Sequence, residues 1–368
     1  MEFGKHSIVY LIPHLSGSGG MESVLCAKTN YLADTLGWTV SIITSKQNQR
    51  EFFFKFSDKI SFYDVDTPTE GQRYIFRYAK RLKKLLKKIQ PDFCVSTHFT
   101  DLLVLPFLRD NSKKIGELHF TFDTLFWWYN NRGFLGKFIR RIKLWEYKTI
   151  ASKLDAFVVL TNYEKDILSR SMKNVHHIYN PSTFVTNSKS NLQNKSFIYV
   201  GRFNKEKNAH SLIPMWAEVV KKHPDWILNL YGEGPFEEII KSSIHKYGLS
   251  ENIFIKGTTT NIIDAMVNSS GLLLPSLTEG LGLVLIEANS VGLPVISYDC
   301  NGPKEIIDDG KNGFLIKSFD SKTFVNKIIF LIENESLRLQ MGAYAIEMSK
   351  RYSIDYIINQ WISLFNSL

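Results

Sequence analysis

Cysteine is scarce in this chain. Its three residues, Cys26, Cys94 and Cys300, are far apart and odd in number. They match no metal-ligand spacing and give no disulfide framework, so reduced and mostly buried thiols are expected. Long apolar runs are missing too: none approaches the roughly 20 residues that a bilayer-spanning helix needs. The opening stretch, MEFGKHSIVYLIPHLSGSGG, has only a short apolar run leading into a glycine-rich turn. It reads as a first buried strand rather than a signal peptide. Acidic residues are outnumbered, with 36 Asp and Glu against 45 Lys and Arg, a formal net charge of +9. The excess favours an anionic partner: a membrane surface, a phosphate-bearing substrate or a nucleic acid. No repeat of solenoid period is visible.

What is present is a globular composition, 44% apolar and 22% charged, over 368 residues. That length exceeds one typical core and points to two domains. Short apolar runs alternate with helical patterns along the chain, as in parallel α/β sheets. Ser7 to Ile12 reads as a strand and Met21 to Leu36 as a helix, with Thr39 to Thr44 as the next strand. The loop between the first two carries Gly17, Gly19 and Gly20 before a helix N-terminus. Such a loop lets a phosphate or sugar approach the backbone closely. His14 stands beside it. A strand over Ile60 to Val65 ends in Asp64-Val65-Asp66, an acidic string of a kind that can hold a divalent metal but has no companion ligands here.

Gln72 to Gln90 reads as a helix with Ile75, Ala79, Leu82, Leu85, Leu86 and Ile89 on one face. Lys83, Lys84, Lys87 and Lys88, with Arg73, Arg77, Lys80 and Arg81, cover the rest. This face is either simply solvated or meets anionic lipid headgroups. A second unusual stretch follows His119. It is rich in aromatics, including Trp127 and Trp128, and in cations, including Arg140 and Arg141. Such a mixture suits a membrane interface or an acceptor cleft, and also single-stranded nucleic acid. No nucleic-acid motif accompanies it, which favours the membrane.

After Tyr179-Asn180-Pro181 a stretch rich in Ser, Asn and Thr marks a linker. We divide the chain into 1–183, 184–350 and a terminal helix, 351–368. The second part opens with a strand over Phe197 to Val200 and a loop with Arg202, Lys205 and Lys207. Its densest stretch is Leu272 to Glu305, LLLPSLTEGLGLVLIEANSVGLPVISYDCNGPKE. This reads as strand, Gly loop, helix, strand and a second Gly-Pro loop at Asn301 to Pro303, with Glu279 and Glu287 bracketing the first loop and its helix. In parallel α/β sheets such carboxyl-end loops are where ligands bind.

Taken together, VGRFNKEKN, YGEGP, PSLTEGLGLVLIEA, GPKEII and NGFL, in that order, resemble the family 4 glycosyltransferases of the GT-B fold. The first half adds the looser likenesses GSGGMESV, His119 and VVLTNYEK. The resemblance implies an α/β protein with two Rossmann-like, doubly wound parallel-sheet domains facing a cleft, and a terminal helix that returns to the first domain. It implies a retaining enzyme that moves a hexose or N-acetylhexosamine from a nucleotide sugar, by family habit a UDP-sugar. Arg202 and Lys207 would bind the donor diphosphate, Glu287 the ribose hydroxyls and Glu279 the transferred sugar. The backbone from Gly280 through Leu281 and Gly282 to Leu283 would face sugar and phosphates. Gly257 and Thr258 would lie beside the base, and Gly19 and Gly20 would approach the donor. His119 would act near the reacting sugar.

No cofactor or metal is expected, because two cations and a helix N-terminus would supply the positive charge. The expected acceptor is a lipid-linked or anionic glycan of surface polysaccharide or lipopolysaccharide assembly. The expected location is cytoplasmic, at the inner face of the membrane, and no nucleic-acid partner is expected. The rival readings are a phosphorylase or nucleotide-sugar epimerase on the same fold, and a basic nucleic-acid-binding protein.

Overall fold

The protein is described by a computed structural model covering residues 5–65, 74–122, 125, 129, 133–184 and 186–368, with backbone only at 99 and 100. The chain divides into two compact units. Unit 1 comprises residues 1–183 and 354–368, and unit 2 comprises residues 184–353.

Unit 1 is built from β1 (Ser7–Ile12), α1 (Gly20–Asp34), β2 (Thr39–Thr44), β3 (Ser61–Asp64), α2 (Tyr74–Ile89), β4 (Phe93–Ser96), α3 (Phe99–Val104), β5 (Lys113–Leu118), α4 (Gly133–Ala151), β6 (Ala156–Val159), α5 (Asn162–Ser169) and β7 (Val175–His177). Its seven strands are all parallel, in the order β3-β2-β1-β4-β5-β6-β7. Strands covered on both faces read as near-continuous apolar runs, and SIVYLI and AFVV are such runs.

Unit 2 holds β8 (Ser196–Val200), α6 (Leu212–Val220), β9 (Ile227–Tyr231), α7 (Glu237–Lys246), β10 (Ile253–Gly257), α8 (Ile262–Val267), β11 (Leu272–Leu274), α9 (Leu283–Ser290), β12 (Val295–Tyr298), α10 (Asn301–Ile306), β13 (Gly313–Ile316), α11 (Ser321–Glu333) and α12 (Glu335–Ser349). Its parallel sheet runs β10-β9-β8-β11-β12-β13. Both sheets are doubly wound: the strand order reverses between β1 and β4, and again between β8 and β11.

The last helix, α13 (Ile354–Ser367), belongs to unit 1, where Ile357, Trp361 and Phe365 are buried in the core shared with α1. That core fills one face of the sheet. A second core fills the other face, joining Tyr78, Leu82 and Leu86 of α2 to Tyr147 and Ala151 of α4.

Several local expectations are corrected. The Asn301 to Pro303 segment is helical, not a loop. Pro303 is tolerated because the N–H groups of a first helical turn have no intrahelical acceptor. On α2, Ile75 is exposed and Tyr78 is buried in its place, so the buried seam is Tyr78, Leu82 and Leu86. The strand at β7 and the short helix α3 were not anticipated, because three and six residues carry too little periodicity to read. Asp66, Arg73, Trp127 and Trp128 lie outside the described residues. Among the described residues, no group of three or more His, Cys, Asp or Glu side chains is arranged to hold a metal. Among them, too, no helix is long and apolar enough to cross a membrane.

Tyr78 donates a hydrogen bond to Asp101, which is 2% exposed. Burial pushes the Asp101 carboxyl from 3.8 up to about 7, against the opposing bonds from Tyr78 and Ser96. The folded state therefore holds a proton that the unfolded chain has released. The cost of ionising Asp101 in the fold grows as pH rises from about 4 to about 7 and is complete above that. Asp101→Asn is expected to raise the melting temperature clearly at pH 8 and little at pH 4. An equal shift at both values, read by thermal unfolding, would contradict the buried-acid assignment.

Candidate active site

Charged side chains gather at the carboxyl ends of the strands, beside the reversal point of each sheet. In unit 2, β8 ends at Val200, and the chain turns through Gly201 to Lys207. The turn needs two glycines opposite it. A Cβ on Gly232 (φ +146) would sit 1.9 Å from the Gly201 carbonyl oxygen, and one on Gly234 would sit 2.6 Å from that of Phe203. YGEGP is thus a steric requirement of the β8 loop.

Arg202 on this turn is exposed and forms no ion pair among the described residues. Lys207 is different: its Nζ lies 2.6 Å from Oε2 of Glu279. The backbone around Lys207 is fixed by a bond from its N–H to Asn204 Oδ1 and by Asn208, in left-handed conformation (φ 56), whose amide donates to the Pro275 carbonyl. Leu277 N–H donates to Glu206 O, stitching the β8 and β11 loops together.

Glu279 is 6% exposed and also accepts from Ser276 Oγ at 2.9 Å. Its charge raises the Tyr199 hydroxyl above its usual value, second to the effect of burial. Burial first, and then Glu279, push the Cys300 thiol up to about 12, so this cysteine is an unreactive neighbour of the site. Gly282, left-handed at φ +84, turns the chain into α9. The loop from Gly280 to Gly282 is backed by α10, where a Cβ on Gly302 would meet the carbonyl oxygens of Leu281 and Gly280 at 2.7 and 2.8 Å. Leu281 is buried, and Leu283 begins α9 half-buried. Glu287 is buried to 8% exposure in the second turn of α9.

The structure therefore brings together Arg202, Lys207, Glu279 and the Gly280–Leu283 backbone at the junction of β8 and β11. Gly257 and Thr258 stand apart from them, at the end of the edge strand β10. Two strand spacings, about 10 Å, separate β10 from β8.

In unit 1, Gly19 caps α1 and Gly20 begins it. Glu22, 6% exposed, lies against this loop, its Oε1 only 2.3 Å from where a Gly17 Cβ would stand. A carboxylate already sits in the first turn of α1, the place an incoming anion would take. His14 Nδ1 lies 3.3 Å from Ser16 Oγ.

His119 follows β5, and its Nε2 is 3.5 Å from Glu117 Oε1. Glu117 and His119 alternate onto one face of the strand. That face presents Glu117 to Lys28 of α1, whose Nζ donates to both carboxylate oxygens at 2.8 Å. The same Nζ lies 4.0 Å from the ring centroid of Trp361 on α13. Burial alone would raise the Glu117 carboxyl, but Lys28 and His119 together hold it down at about 2. Nearby, the motif TNYE caps α5: Thr161 accepts from Glu164 N–H, and the Glu164 carboxylate accepts from Thr161 Oγ1 at 3.2 Å and from Phe122 N–H at 2.8 Å. It fixes the segment just beyond His119.

Sequence reasoning missed Lys28 and Glu117. The one available signal was a lysine on the buried stripe of α1. Of the remaining sequence candidates, Arg140 donates to the Leu125 carbonyl, while Arg141, Lys83, Lys84, Lys87 and Lys88 are exposed.

Both members of the Lys28–Glu117 pair have side chains 2% exposed, so losing one strands the other. Lys28→Met is expected to cost about 3–5 kcal/mol in denaturant unfolding. Adding Glu117→Gln is expected to restore most of that loss. A single variant as stable as the parent would refute the pairing.

Comparison with known proteins follows this division. Residues 18–181 match the model for Glycosyltransferase Family 4, and residues 183–348 match that for Glycosyl transferases group 1. An uncharacterized glycosyltransferase of Haemophilus influenzae is 31% identical over 361 residues, spanning 96% of this chain and 98% of its own. The amylovoran biosynthesis glycosyltransferase AmsD of Erwinia amylovora is 27% identical over 376 residues, covering 98% of this chain and 100% of its own. Among solved structures, a mutant of S. aureus TarM, in complex with fondaparinux, alpha-GlcNAc-glycerol and UDP, superposes with a TM-score of 0.78 at 18% identity. It covers 98% of this chain and 100% of that one. With two parallel doubly wound sheets, a matching model on each half and a relative aligned end to end, the chain belongs to glycosyltransferase family 4 and has the GT-B fold.

Proposed function

We propose that this glycosyltransferase moves a hexose or N-acetylhexosamine from a UDP-sugar, with retention, to a lipid-linked or otherwise anionic glycan of cell-surface polysaccharide assembly. We place it at the inner face of the membrane. The observation that carries the reading is the Lys207–Glu279 pair beside exposed Arg202, where the unit 2 sheet reverses. Ligands of doubly wound sheets bind at that point.

In this reading a diphosphate seats against Arg202 and draws Lys207 toward it. Glu279 then loses its cation and accepts hydrogen bonds from hydroxyls of the transferred sugar. Glu287 takes the ribose hydroxyls, and the loop at Gly257 and Thr258, about 10 Å away across the sheet, takes the base. As the bond from sugar to phosphate breaks, the acceptor oxygen bonds to the anomeric carbon from the same face. Its proton passes to the departing phosphate oxygen. Arg202, Lys207 and the N-terminus of α9 offset the charge that builds there. No cofactor is assigned. On unit 1, His119 is assigned to the sugar side, with Glu117 and Lys28 holding it.

The UDP found with TarM and the polysaccharide named for AmsD support the donor and acceptor classes. The test is a thermal-shift screen of nucleotides and nucleotide sugars. UDP is expected to stabilise the protein, by about 2.7 kcal/mol at a hundredfold excess over its Kd. Glu287→Ala is expected to weaken that response at least tenfold, and Arg202→Ala to slow transfer about a hundredfold or more. A response to adenine or guanine nucleotides alone would replace the donor. Full transfer by Glu287→Ala would overturn the site.

A further inference from the structure

Helix α4 turns its apolar side outward. Phe134 is 88% exposed, Leu135 67%, Phe138 55%, Ile142 40% and Trp145 67%. At helical spacing these five fall within a sector of about 100°. The opposite side, through Gly136, Tyr147 and Ala151, packs into the core. One edge of the exposed sector carries Lys137 and Arg141, both exposed. At the other edge, Lys143 and Glu146 pair at 2.8 Å and cancel one another.

Helix α2 belongs to the same layer. It packs into the same core as α4, on the same face of the sheet. Its outer side presents Arg77, Lys80, Lys83, Lys84, Lys87 and Lys88, and its described residues include no Asp or Glu. An aromatic and aliphatic row therefore shares one helical layer with a row of cations.

We propose that this layer docks on a bilayer containing anionic phospholipid, with Phe134, Phe138 and Trp145 entering the boundary between headgroups and acyl chains. The cations of α2 and α4 then meet the headgroup phosphates. Charge decides the occupant. A second copy of the chain would bring the same cations against these, whereas an anionic surface complements them. Leu135 and Ile142 have no use in stacking nucleic-acid bases but add buried area in lipid. Each device alone gives weak, reversible binding, and together they give the two signals that stable attachment requires. The proposal deepens the membrane location given above and rests on it for its biological sense.

The test is co-flotation of the full chain with vesicles of phosphatidylglycerol and phosphatidylcholine, and with phosphatidylcholine alone. Binding is expected to the anionic vesicles and to fall with salt. Phe134→Ser/Phe138→Ser/Trp145→Ser is expected to bind at least tenfold more weakly at low salt, with an unchanged melting temperature. Phe134→Asp, a single change at an exposed position, is expected to act in the same direction. Brominated lipid is expected to quench the parent's fluorescence more than that of Trp145→Phe. Undiminished binding by both wedge variants would overturn the proposal. So would a dimer in the parent that the triple variant makes monomeric. UDP-sugar hydrolysis without vesicles, measured on the same variants, separates the two readings. Hydrolysis retained with binding independent of α4 defeats the docking alone. Vesicle binding through α4 with no stabilisation by UDP or any UDP-sugar in the thermal-shift screen defeats the proposed reaction alone.

Discussion

A strand paired on both sides and covered on both faces leaves room for charge only where it ends. The inner strands of both sheets are of that kind, and the constraint organises the rest. Arg202, Lys207 and Glu279 come just after β8 and β11, and His119 just after β5. The few charges set deeper bring their own partners: Lys28 for Glu117, and Asp110 for Lys114 at 2.5 Å. The sheet thus sorts polar chemistry to one edge, and the doubly wound order opens that edge where the helices part to opposite faces.

Two ion pairs show how differently the same chemistry is used. Lys28–Glu117 is sealed, with neither side chain more than 2% exposed, and it ties α1 and α13 to the end of β5. Lys207–Glu279 is open on one side, the lysine side chain being 29% exposed and the glutamate 6%. A sealed pair is costly to break and so holds a shape. A half-open pair is less costly to separate, and in the function proposed above its lysine turns from the carboxylate to the donor diphosphate. The glycines serve the open pair indirectly. Gly232, Gly234 and Gly302 let backbone come close behind its loops, and Gly282 alone turns one of them.

Much of this was legible in the residues. Apolar runs ending in glycine or proline gave the strands, and the order of VGRFNKEKN, PSLTEGLGLVLIEA and NGFL gave the family. Misreadings fell where a local rule had a rival. A Gly-Pro pair reads as a loop, yet in α10 the proline lies in the first turn, where its missing N–H is harmless. Ile75 reads as core, yet Tyr78 is buried because its hydroxyl finds Asp101. The basic face of α2 and the aromatic, basic stretch after His119 were both visible, but which side of α4 turns outward was not, because an amphipathic pattern does not say which side meets the protein.

The sequence by itself determined two parallel sheets, the loops that carry charge and the family to which they belong. These follow from local periodicity, glycine placement and the spacing of a few polar residues, all of which are properties of the chain. The tertiary structure alone decided which of those residues meet. Lys28 and Glu117 are 89 residues apart, and Lys207 and Glu279 are 72. Nothing local links either pair. They are joined because the crossovers of a parallel sheet bring distant strand ends to one edge, where a buried charge must find its opposite or not be buried at all.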